Sequence, residues 1–429
     1  MSAAAATRVP AVAVIGAGIS GLTAAYKLQD CCRLAVFEAE DRIGGHTHTV
    51  TLDLPGGPWH VDTGFIVFNH DTYPQFTTLL RTLGIDSQPS VMSFSVRDEA
   101  VDFEYRASSL NTLFAQRRNL LRPRMYRLMA DILRFRRESV ALLDDPHAAV
   151  TLGAYLAQQR YAAFFISHFI VPMGAAIWSA SSADTLQMPA AFFARFFHHH
   201  GFLRVHDQPQ WRVVKGGSCA YLAPLTAGFA ECIRVKTPVE RVQRMDDHVA
   251  VQAHGAAPEH FDYVIIAAHA DQALRMLADA TPAERELLHA FPYQDNDVVL
   301  HTDTRMMPRR RRAWASWNYH LTPDAARRVA VSYNMNILQT LPGPHDFMVT
   351  LNRSDALAPG SVLRRFTYAH PLYTHAGIAA QARWDEINGA RRTFYCGAYW
   401  RNGFHEDGVV SGQRAAAALR ALLSHNNEC

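Results

Sequence analysis

The hydrophobic positions near the start of the chain form two short apolar runs with a helical segment between them. Ala13 to Ile15 and Leu34 to Phe37 are short and continuous, which is typical of buried strands. Residues 22–28 fit a helix between the two runs. This order predicts a β-turn-α-β unit of a parallel sheet.

The turn after the first strand is rich in glycine, and an acidic residue ends the second strand. Gly16 permits a tight turn, Gly18 lets a pyrophosphate approach the backbone, and Gly21 lets helix and strand pack closely. The positive end of the helix would face that pyrophosphate. Glu38 lies where its carboxylate can accept both hydroxyls of an adenosine ribose. The predicted dinucleotide-binding residues are Gly16, Gly18, Ile19, Ser20, Gly21, Glu38 and Ala39.

The segment after Glu38 indicates which dinucleotide is bound. Arg42-Ile43-Gly44-Gly45-His46-Thr47 resembles the R-x-G-G-R segment of the flavin-containing amine oxidase and phytoene desaturase-like superfamily, which runs along the FAD. His46 departs from that pattern, since it replaces the second arginine. The resemblance implies noncovalently bound FAD, with contacts from Arg42, Gly44, Gly45, His46 and Thr47.

Three later segments extend the resemblance. Gly64 and Phe65 follow a strand and resemble the place where the superfamily chain returns to the flavin, and Val239 resembles the residue that passes the adenine. Residues 393–412 resemble the second FAD signature, in which a strand ends at Gly397 and a helix follows, running through residues 415–423. The resemblance implies that Gly408 and Val409 contact the flavin N1–C2=O edge, and Gly403 and Gly408 are expected to let the ring approach closely.

The resemblance implies an α/β fold, in which a Rossmann-type FAD-binding domain is interleaved with an α+β substrate domain. The predicted FAD-binding domain is discontinuous and comprises residues 1–70, 205–275 and 385–429. Residues 71–204 and 276–384 are predicted to form the substrate-binding domain.

The remaining pattern predicts further elements. Residues 48–52 and 60–68 flank a Pro/Gly turn and predict a hairpin, and residues 73–83 predict a helix that Gly84 ends. Residues 233–242 predict a pair of strands, and residues 263–269 predict a buried strand followed by a helix. Residues 295–370 are expected to complete a substrate sheet.

Residues 108–143 are mainly helical and rich in arginine. Leu121, Met125, Leu128, Ile132 and Phe135 are predicted to share one helix face, opposite several arginines. Residues 117–137 could therefore rest on an anionic membrane, although an ordinary domain helix with a solvated face is the favoured interpretation. The run of four arginines at 309–312 is interpreted in the same way, as a solvated loop or a docking site.

Composition narrows the class of protein without identifying a partner. The 429 residues suggest two domains, and the net charge of +3 implies no nucleic-acid partner. Six cysteines show no regular spacing, which favours a reduced, cytoplasmic setting. No apolar run is long enough for a membrane-spanning helix, so only peripheral membrane contact is considered. The oligomeric state stays open, and consecutive His198, His199 and His200 are not expected to bind a metal.

The candidate chemistry rests on aromatic residues and on the scarcity of lysine. Many amine oxidases of the superfamily place a lysine near the flavin, but the only lysines here are Lys27, Lys215 and Lys236, none well placed for that role. A flavin can accept a hydride without a protein acid or base in a dry, aligned site. The predicted residues at the reacting centre are Trp178, Tyr399, Trp400 and Phe404, which shape the cavity, and His405 and Glu406, which assist proton movement.

Four functions are left open by these residues. The first is oxidation or desaturation of a small apolar substrate. Residues 62–65, 176–179 and 403–408 resemble a bacterial branch of predicted NAD/FAD-binding oxidoreductases, whose members tend to accompany cyclopropane-fatty-acid-synthase-like methyltransferases. That resemblance implies a fatty-acyl or lipid chain. The alternatives are a flavin amine oxidase, an FAD-dependent double-bond isomerase, and a membrane-surface module with a vestigial flavin fold.

Overall fold

The computed structural model describes residues 8–145, 149–203, 207–322 and 330–427. The ends of the predicted domain ranges at residues 1, 205 and 429 lie outside this part of the chain, as does Cys429. The strands within it are β1 Ala11–Ile15, β2 Arg33–Phe37, β3 Thr49–Leu52, β4 Trp59–Asp62, β5 Phe68–Asn69, β6 Ser87–Pro89, β7 Phe94–Asp98, β8 Phe103–Arg106, β9 Trp211–Val214, β10 Ile233–Arg234, β11 Val239–Arg244, β12 Val249–Ala253, β13 Glu259–Phe261, β14 Tyr263–Ile266, β15 Tyr293–His301, β16 Trp317–Leu321, β17 Ala330–Asn334, β18 Met348–Leu351, β19 Val362–Pro371 and β20 Thr393–Tyr395.

The helices of the same ranges are spread along the chain between these strands. They are α1 Ile19–Leu28, α2 Pro74–Thr82, α3 Leu110–Leu113, α4 Pro123–Glu138, α5 Leu152–Gln158, α6 Ala163–Phe165, α7 Val171–Trp178, α8 Ser182–Gln187, α9 Ala190–His199, α10 Leu222–Thr226, α11 Ala270–Met276, α12 Pro282–His289, α13 Met335–Gln339, α14 His375–Gln381 and α15 His405–Asn427. A π-helical turn, Ile166–Ile170, joins α6 to α7, and a 3-10 turn, Arg117–Leu121, precedes α4.

A parallel five-stranded sheet forms the centre of the cofactor side of the molecule. Its order is β10-β2-β1-β14-β20. All five residues of β1 are buried, because strands flank it on both sides and helices cover the sheet. The predicted β-turn-α-β unit is confirmed, and α1 begins at Ile19, earlier than predicted. The α/β class is also confirmed.

The strands predicted at residues 233–242 exist, but they do not pair with each other. The first, β10, adds to the parallel sheet beside β2. The second, β11, joins an antiparallel sheet with β12 and β13. Lys236, which has φ of +52°, lies between them, so the chain turns away from the first sheet before the second strand begins.

A seven-stranded sheet forms the other half of the molecule, with the order β19-β15-β18-β17-β16-β7-β8. The strands between residues 295 and 370 belong to this one sheet, which confirms the prediction. Residues 323–329 lie outside the described ranges. Helices α4 to α9 form a separate apolar core that includes residues of β7, β8 and β16. The hairpin of β3 and β4 is confirmed, and its second strand ends at Asp62.

The described parts of the chain contain no helix that combines the length and the apolar composition needed to cross a membrane.

Candidate functional site

A cavity of about 790 Å³ extends from the glycine turn of the parallel sheet to the aromatic residues of the other half. A volume of this size lies in the range of cofactor and ligand sites. Eighteen of the predicted residues line it. They are Gly16, Gly18, Ile19, Ser20, Glu38, Ala39, Gly44, Gly45, His46, Gly64, Phe65, Trp178, Val239, Gly397, Tyr399, Gly403, Phe404 and His405.

Glycine backbone forms one wall of the cavity. Gly16 has φ of +104°, and a Cβ there would lie 2.8 Å from the carbonyl oxygen of Ala267. At Gly18 a Cβ would meet no atom within 4 Å, so this position opens into the cavity. Gly44 donates its N–H to the Ala17 carbonyl at 2.8 Å, which brings the second glycine pair beside the first turn. Two glycine segments therefore form one surface that a diphosphate can approach.

Glu38 is held in position at the end of β2. One carboxylate oxygen accepts the N–H of Ala17 at 2.8 Å, and the other accepts the N–H of Glu40 at 2.9 Å. Each oxygen keeps a further lone pair for a ribose hydroxyl. Val239 lines the same end of the cavity, because the N–H of Thr237 bonds the Glu38 carbonyl at 2.8 Å.

His46 supplies the observation that tests whether a cofactor fits. Its side chain is partly buried in the cavity wall, and its Nε2 atom is buried without a hydrogen-bond partner. A buried polar atom without a partner is costly and marks a group that a ligand can satisfy. The open glycine surface, the oriented Glu38 carboxylate and the unpaired His46 nitrogen together fit FAD.

The rings of three histidines from distant parts of the chain lie close together in the cavity wall. The ring centres of His269 and His370 lie 6.0 and 5.4 Å from the ring of His46, and Tyr368 lies at 5.3 Å. Burial lowers the pKa of His46 well below its ordinary value, and it lowers the pKa of His370 to about 4. These rings are neutral at neutral pH, in contrast to the arginine that the superfamily pattern places at position 46.

His405, at the start of α15, is fixed by its neighbours. Its Nε2 is hydrogen-bonded with the Tyr221 hydroxyl at 2.7 Å, and its ring stacks on Phe65 at 3.7 Å. Burial lowers the pKa of His405 to about 3. It therefore accepts a proton poorly, and its environment favours a positioning role over the proposed proton movement.

The structure corrects the predicted roles of Glu406 and Trp400. The Glu406 carboxylate accepts the backbone N–H groups of Gln75 and Phe76 at 3.0 and 2.8 Å, so it caps the first turn of α2 outside the cavity wall. Trp400 packs on Phe291 in the core, with ring centres 5.2 Å apart. Neither side chain lines the cavity.

Gly408 and Val409 also lie outside the cavity wall. The Gly408 N–H is used within α15, where it bonds the Phe404 carbonyl at 3.0 Å. A Cβ at Gly408 would lie 2.6 Å from Ile19, so this glycine permits close packing of α15 on α1. The cavity is lined instead by Gly403, Phe404 and His405, at the very start of the helix. The start of α15 thus faces the cavity, but the residues that line it precede Gly408 by three to five positions.

Three predicted residues lie behind the cavity wall and support the two glycine segments. They are Gly21, Arg42 and Thr47. A Cβ at Gly21 would lie 2.0 Å from the Gly16 carbonyl oxygen, which confirms its predicted packing role. The Arg42 guanidinium donates to the carbonyls of Gly45 at 2.8 Å and Thr47 at 3.2 Å. It holds the loop in shape, and it is not itself part of the cavity wall.

The far end of the cavity is lined by aromatic and aliphatic side chains, called here the aromatic chamber. Trp178 lies 4.7 Å from Phe196, which lies 4.9 Å from Phe404, and the hydroxyl of Tyr333 donates to the Ala176 carbonyl at 3.3 Å. The members of the aromatic chamber are Ile66, Val67, Met92, Ala176, Ile177, Trp178, Phe196, Phe202, Trp211, Trp317, Tyr333 and Leu351.

Several cavity residues were not predicted from the sequence. His269 had a usable signal, since it lies three residues beyond the end of the buried strand β14, and ligands bind beyond the carboxyl ends of parallel strands. His370, Tyr368 and Trp317 had none, because they lie within strands whose orientation only pairing determines. Of the three consecutive histidines, His200 is buried in the cavity wall, whereas His198 and His199 are exposed.

One family model matches more than half of the chain. The family model described as flavin containing amine oxidoreductase matches residues 19–318. An L-amino-acid oxidase from Siganus canaliculatus is 24% identical over 327 residues, which are 68% of this chain. The match spans only 56% of that relative's length.

Solved structures of low identity share the fold. Cyclohexylamine oxidase from Brevibacterium oxydans superposes with a TM-score of 0.70 at 17% identity, covering 97% of this chain and 100% of that one. A CLA-producing fatty acid isomerase from P. acnes gives a TM-score of 0.68 at 16% identity, covering 95% and 98%. At these identities the likeness concerns the fold alone.

Proposed function

The chain belongs to the flavin containing amine oxidoreductase family, and we propose that it is an FAD-dependent oxidoreductase that oxidises or desaturates a neutral, apolar substrate. The substrate would occupy the aromatic chamber, and a fatty-acyl or lipid chain is the class that the chamber suits best. The supporting observation is the distribution of charge along the cavity.

Charged side chains in the cavity wall are confined to the cofactor end. Within the described residues they are Glu38, Glu240 and Arg275. Glu240 follows Val239 in β11, and Arg275 belongs to α11. A β-bridge between Val242 and Leu277 joins β11 to the end of α11. The described residues of the aromatic chamber include no Asp, Glu, Lys or Arg. All three lysines are exposed and outside the cavity wall.

Histidine adds no charge to the chamber at neutral pH. His200 lines the cavity among the aromatic residues, and burial lowers its pKa to about 4. A substrate ammonium or carboxylate that entered the chamber would lose its hydration and gain no ionic partner. This loss costs several kcal/mol of binding free energy. The wall therefore favours a substrate that is neutral in the part that it encloses.

When bound, FAD supplies a two-electron acceptor that can take a hydride from a substrate C–H bond. The protein's part is to align that bond and to exclude water, which the apolar chamber and the stacked Phe65 and His405 rings support. Transfer of the hydride requires no lysine or ionised acid, and the proton that the substrate also loses passes to solvent water.

Anaerobic reduction of the bound flavin tests the proposal. The FAD-loaded protein is mixed with neutral fatty-acyl esters, with cyclohexylamine or with L-amino acids, and the flavin absorbance is followed. We expect bleaching by acyl substrates and a product two mass units lighter. Bleaching by amines alone would make it an amine oxidase, and a product of unchanged mass would make it an isomerase. Vesicle binding with no turnover of any substrate would favour the membrane module.

A charge placed in the chamber provides a second test. Ile177→Glu puts a carboxylate beside Trp178, and we expect it to slow flavin reduction by acyl substrates at least about tenfold, because the buried charge must lose its hydration or displace the substrate. Ile177→Leu keeps volume and neutrality and serves as the matched control. An unchanged flavin spectrum in both variants shows that the fold is kept. Equal rates in both variants would count against a substrate in the chamber.

A further inference from the structure

Exposed apolar side chains concentrate in one region of the surface. Among the described residues, eleven large apolar side chains are exposed, and seven of them lie between 101 and 140. Leu121 is the extreme case, at 88% exposure, although its spacing had placed it on the same helix face as Met125 and Leu128, which are buried. The seven are Val101, Leu110, Leu120, Leu121, Tyr126, Leu133 and Val140. A cluster of this kind marks an interaction surface more often than scattered single residues do.

Helix α4 and the 3-10 turns at its two ends carry five of these residues. The inner face of α4 is buried in the core through Met125, Leu128, Ile132 and Phe135. Tyr126 and Leu133 are spaced by seven, so they lie on one outer side of α4, and Val140 lies in the 3-10 turn that follows the helix. The Tyr126 hydroxyl donates to the Leu120 carbonyl at 2.8 Å, which places the preceding 3-10 turn beside the helix. The line of Leu120, Leu121, Tyr126, Leu133 and Val140 is called the apolar ridge.

Arginines surround the ridge in excess over acids. Residues 117–140 contain eight arginines and two acidic residues, a net charge of +6, whereas the whole chain carries +3. The rest of the chain therefore carries −3. Asp131 is almost fully buried and pairs with Arg127 at 3.1 Å, so it contributes little negative charge to the surface. The charge of the molecule is strongly asymmetric and its positive side coincides with the ridge.

The second arginine cluster joins the first in space. Asp102 pairs with Arg118 of the 3-10 turn and also with Arg309 at 3.6 Å. Buried Glu104 accepts from the Arg310 guanidinium at 2.7 Å and from the backbone N–H of Arg309 at 2.9 Å. The two arginine-rich segments of the sequence, about two hundred residues apart, thus build one basic surface beside the ridge.

We propose that the apolar ridge and this basic surface dock the protein on a lipid bilayer with anionic headgroups. Leu120, Leu121 and Tyr126 would enter the boundary between headgroups and acyl chains, and the arginines would contact lipid phosphates. The positive charge of the arginines favours a partner with negative charge. The exposed ridge favours a partner that has an apolar layer beneath its charged surface, as an anionic bilayer does and nucleic acid does not. The proposal concerns the surface alone and does not depend on the substrate.

Vesicle flotation with the FAD-loaded full chain tests the docking. The vesicles contain phosphatidylcholine alone or phosphatidylcholine mixed with phosphatidylglycerol, at low and at high salt. We expect binding to the mixed vesicles that weakens at high salt, because salt screens the arginines. Absence of binding to mixed vesicles at low salt would overturn the proposal, and so would tighter binding to duplex DNA than to vesicles.

Variants separate the two parts of the surface. Combining Arg137→Gln with Arg312→Gln is expected to lower the vesicle partition coefficient about 25-fold, since each basic residue near an anionic surface contributes roughly a factor of five. Leu121→Asp is expected to lower it at least tenfold, with less sensitivity to salt. Arg241→Gln on β11 and Met245→Asp, directly after that strand, are controls at exposed positions outside the ridge. An equal loss in the controls would contradict the assigned surface.

Discussion

Two glycines three positions apart have different physical roles at the cofactor turn. Gly18 faces the cavity with no protein atom near its missing Cβ, and Gly21 faces the Gly16 carbonyl at a distance that excludes any side chain. The sequence motif contains both glycines, but only the packing around each one shows whether a substitution affects the ligand or the fold.

The first prediction compares alanine at these positions. Gly18→Ala should fold with normal stability and bind FAD at least about tenfold more weakly, because the methyl group occupies space that the diphosphate needs. Gly21→Ala should lower the free energy of unfolding by about 3 kcal/mol through overpacking. FAD fluorescence titration and urea unfolding measure the two effects. The assignment fails if Gly18→Ala unfolds as easily as Gly21→Ala.

The second prediction concerns Glu406. Glu406→Gln should lower the free energy of unfolding by about 1 kcal/mol, because an amide has one acceptor oxygen for two backbone N–H groups at α2. The rate of flavin reduction by substrate should not change, since the side chain lies outside the cavity wall. Stopped-flow reduction and thermal unfolding give the two quantities. A slowed reduction with unchanged stability would restore the catalytic role predicted from the sequence.

At the scale of elements, the long helix α15 positions the cofactor turn through its contact with α1. Gly408 and Gly412 are four residues apart, so they share a helix face, and this face meets Ile19 and Ser20 at the start of α1. A Cβ at Gly412 would lie 2.3 Å from the Ser20 carbonyl oxygen, and one at Gly408 would meet a methyl of Ile19. Close helix approach thus depends on both glycines.

The third prediction ranks the two positions. Gly412→Ala should destabilise the protein by about 3 kcal/mol, since backbone must move, and Gly408→Ala should cost less because the Ile19 side chain can shift. Both should weaken FAD binding to the extent that they displace the N-terminus of α1. Differential scanning calorimetry with and without FAD measures this, and a larger effect at Gly408 would argue for direct flavin contact there.

At the scale of the whole molecule, burial of titratable groups around the cavity makes stability depend on pH. Burial lowers the pKa of His200 and of His370 to about 4 and that of His405 to about 3. In the unfolded chain these histidines bind protons near pH 6.5, whereas in the folded chain they stay neutral. The free energy of unfolding therefore decreases as the pH is lowered below about 6.5. Burial raises the pKa of Asp62 and of Asp407 to about 6, which acts in the opposite direction.

The fourth prediction follows from this balance. The three histidines outweigh the two carboxyl groups, and burial also lowers the pKa of His48 and of His301 to about 4 and that of His320 to about 3. The FAD-free protein should therefore lose at least about 3 kcal/mol of stability between about pH 7 and about pH 5. Urea unfolding across this range checks it, with the slope of each transition as a control for two-state behaviour. Stability that is level or higher toward acid would show that these histidines are not kept neutral by burial.

Local segments of the site were predictable because their signal lies in neighbouring residues. The strand, the glycine turn, the helix and Glu38 are close in the chain, and hydrophobic spacing with backbone sterics specifies them. The helix that begins at His405 was placed too late, since Gly408 and Gly412 look like helix breakers until α1 is seen against them.

The sequence alone determined the α/β class, the FAD-binding turn and the absence of a well-placed lysine, because these depend on residue type and short spacing. Tertiary structure decided what each side chain faces. It turned Glu406 and Trp400 away from the cavity, exposed Leu121, joined two arginine clusters and brought the rings of His46, His269 and His370 together in the cavity wall. Such contacts join positions hundreds of residues apart, and only the packing of strands and helices brings those positions together.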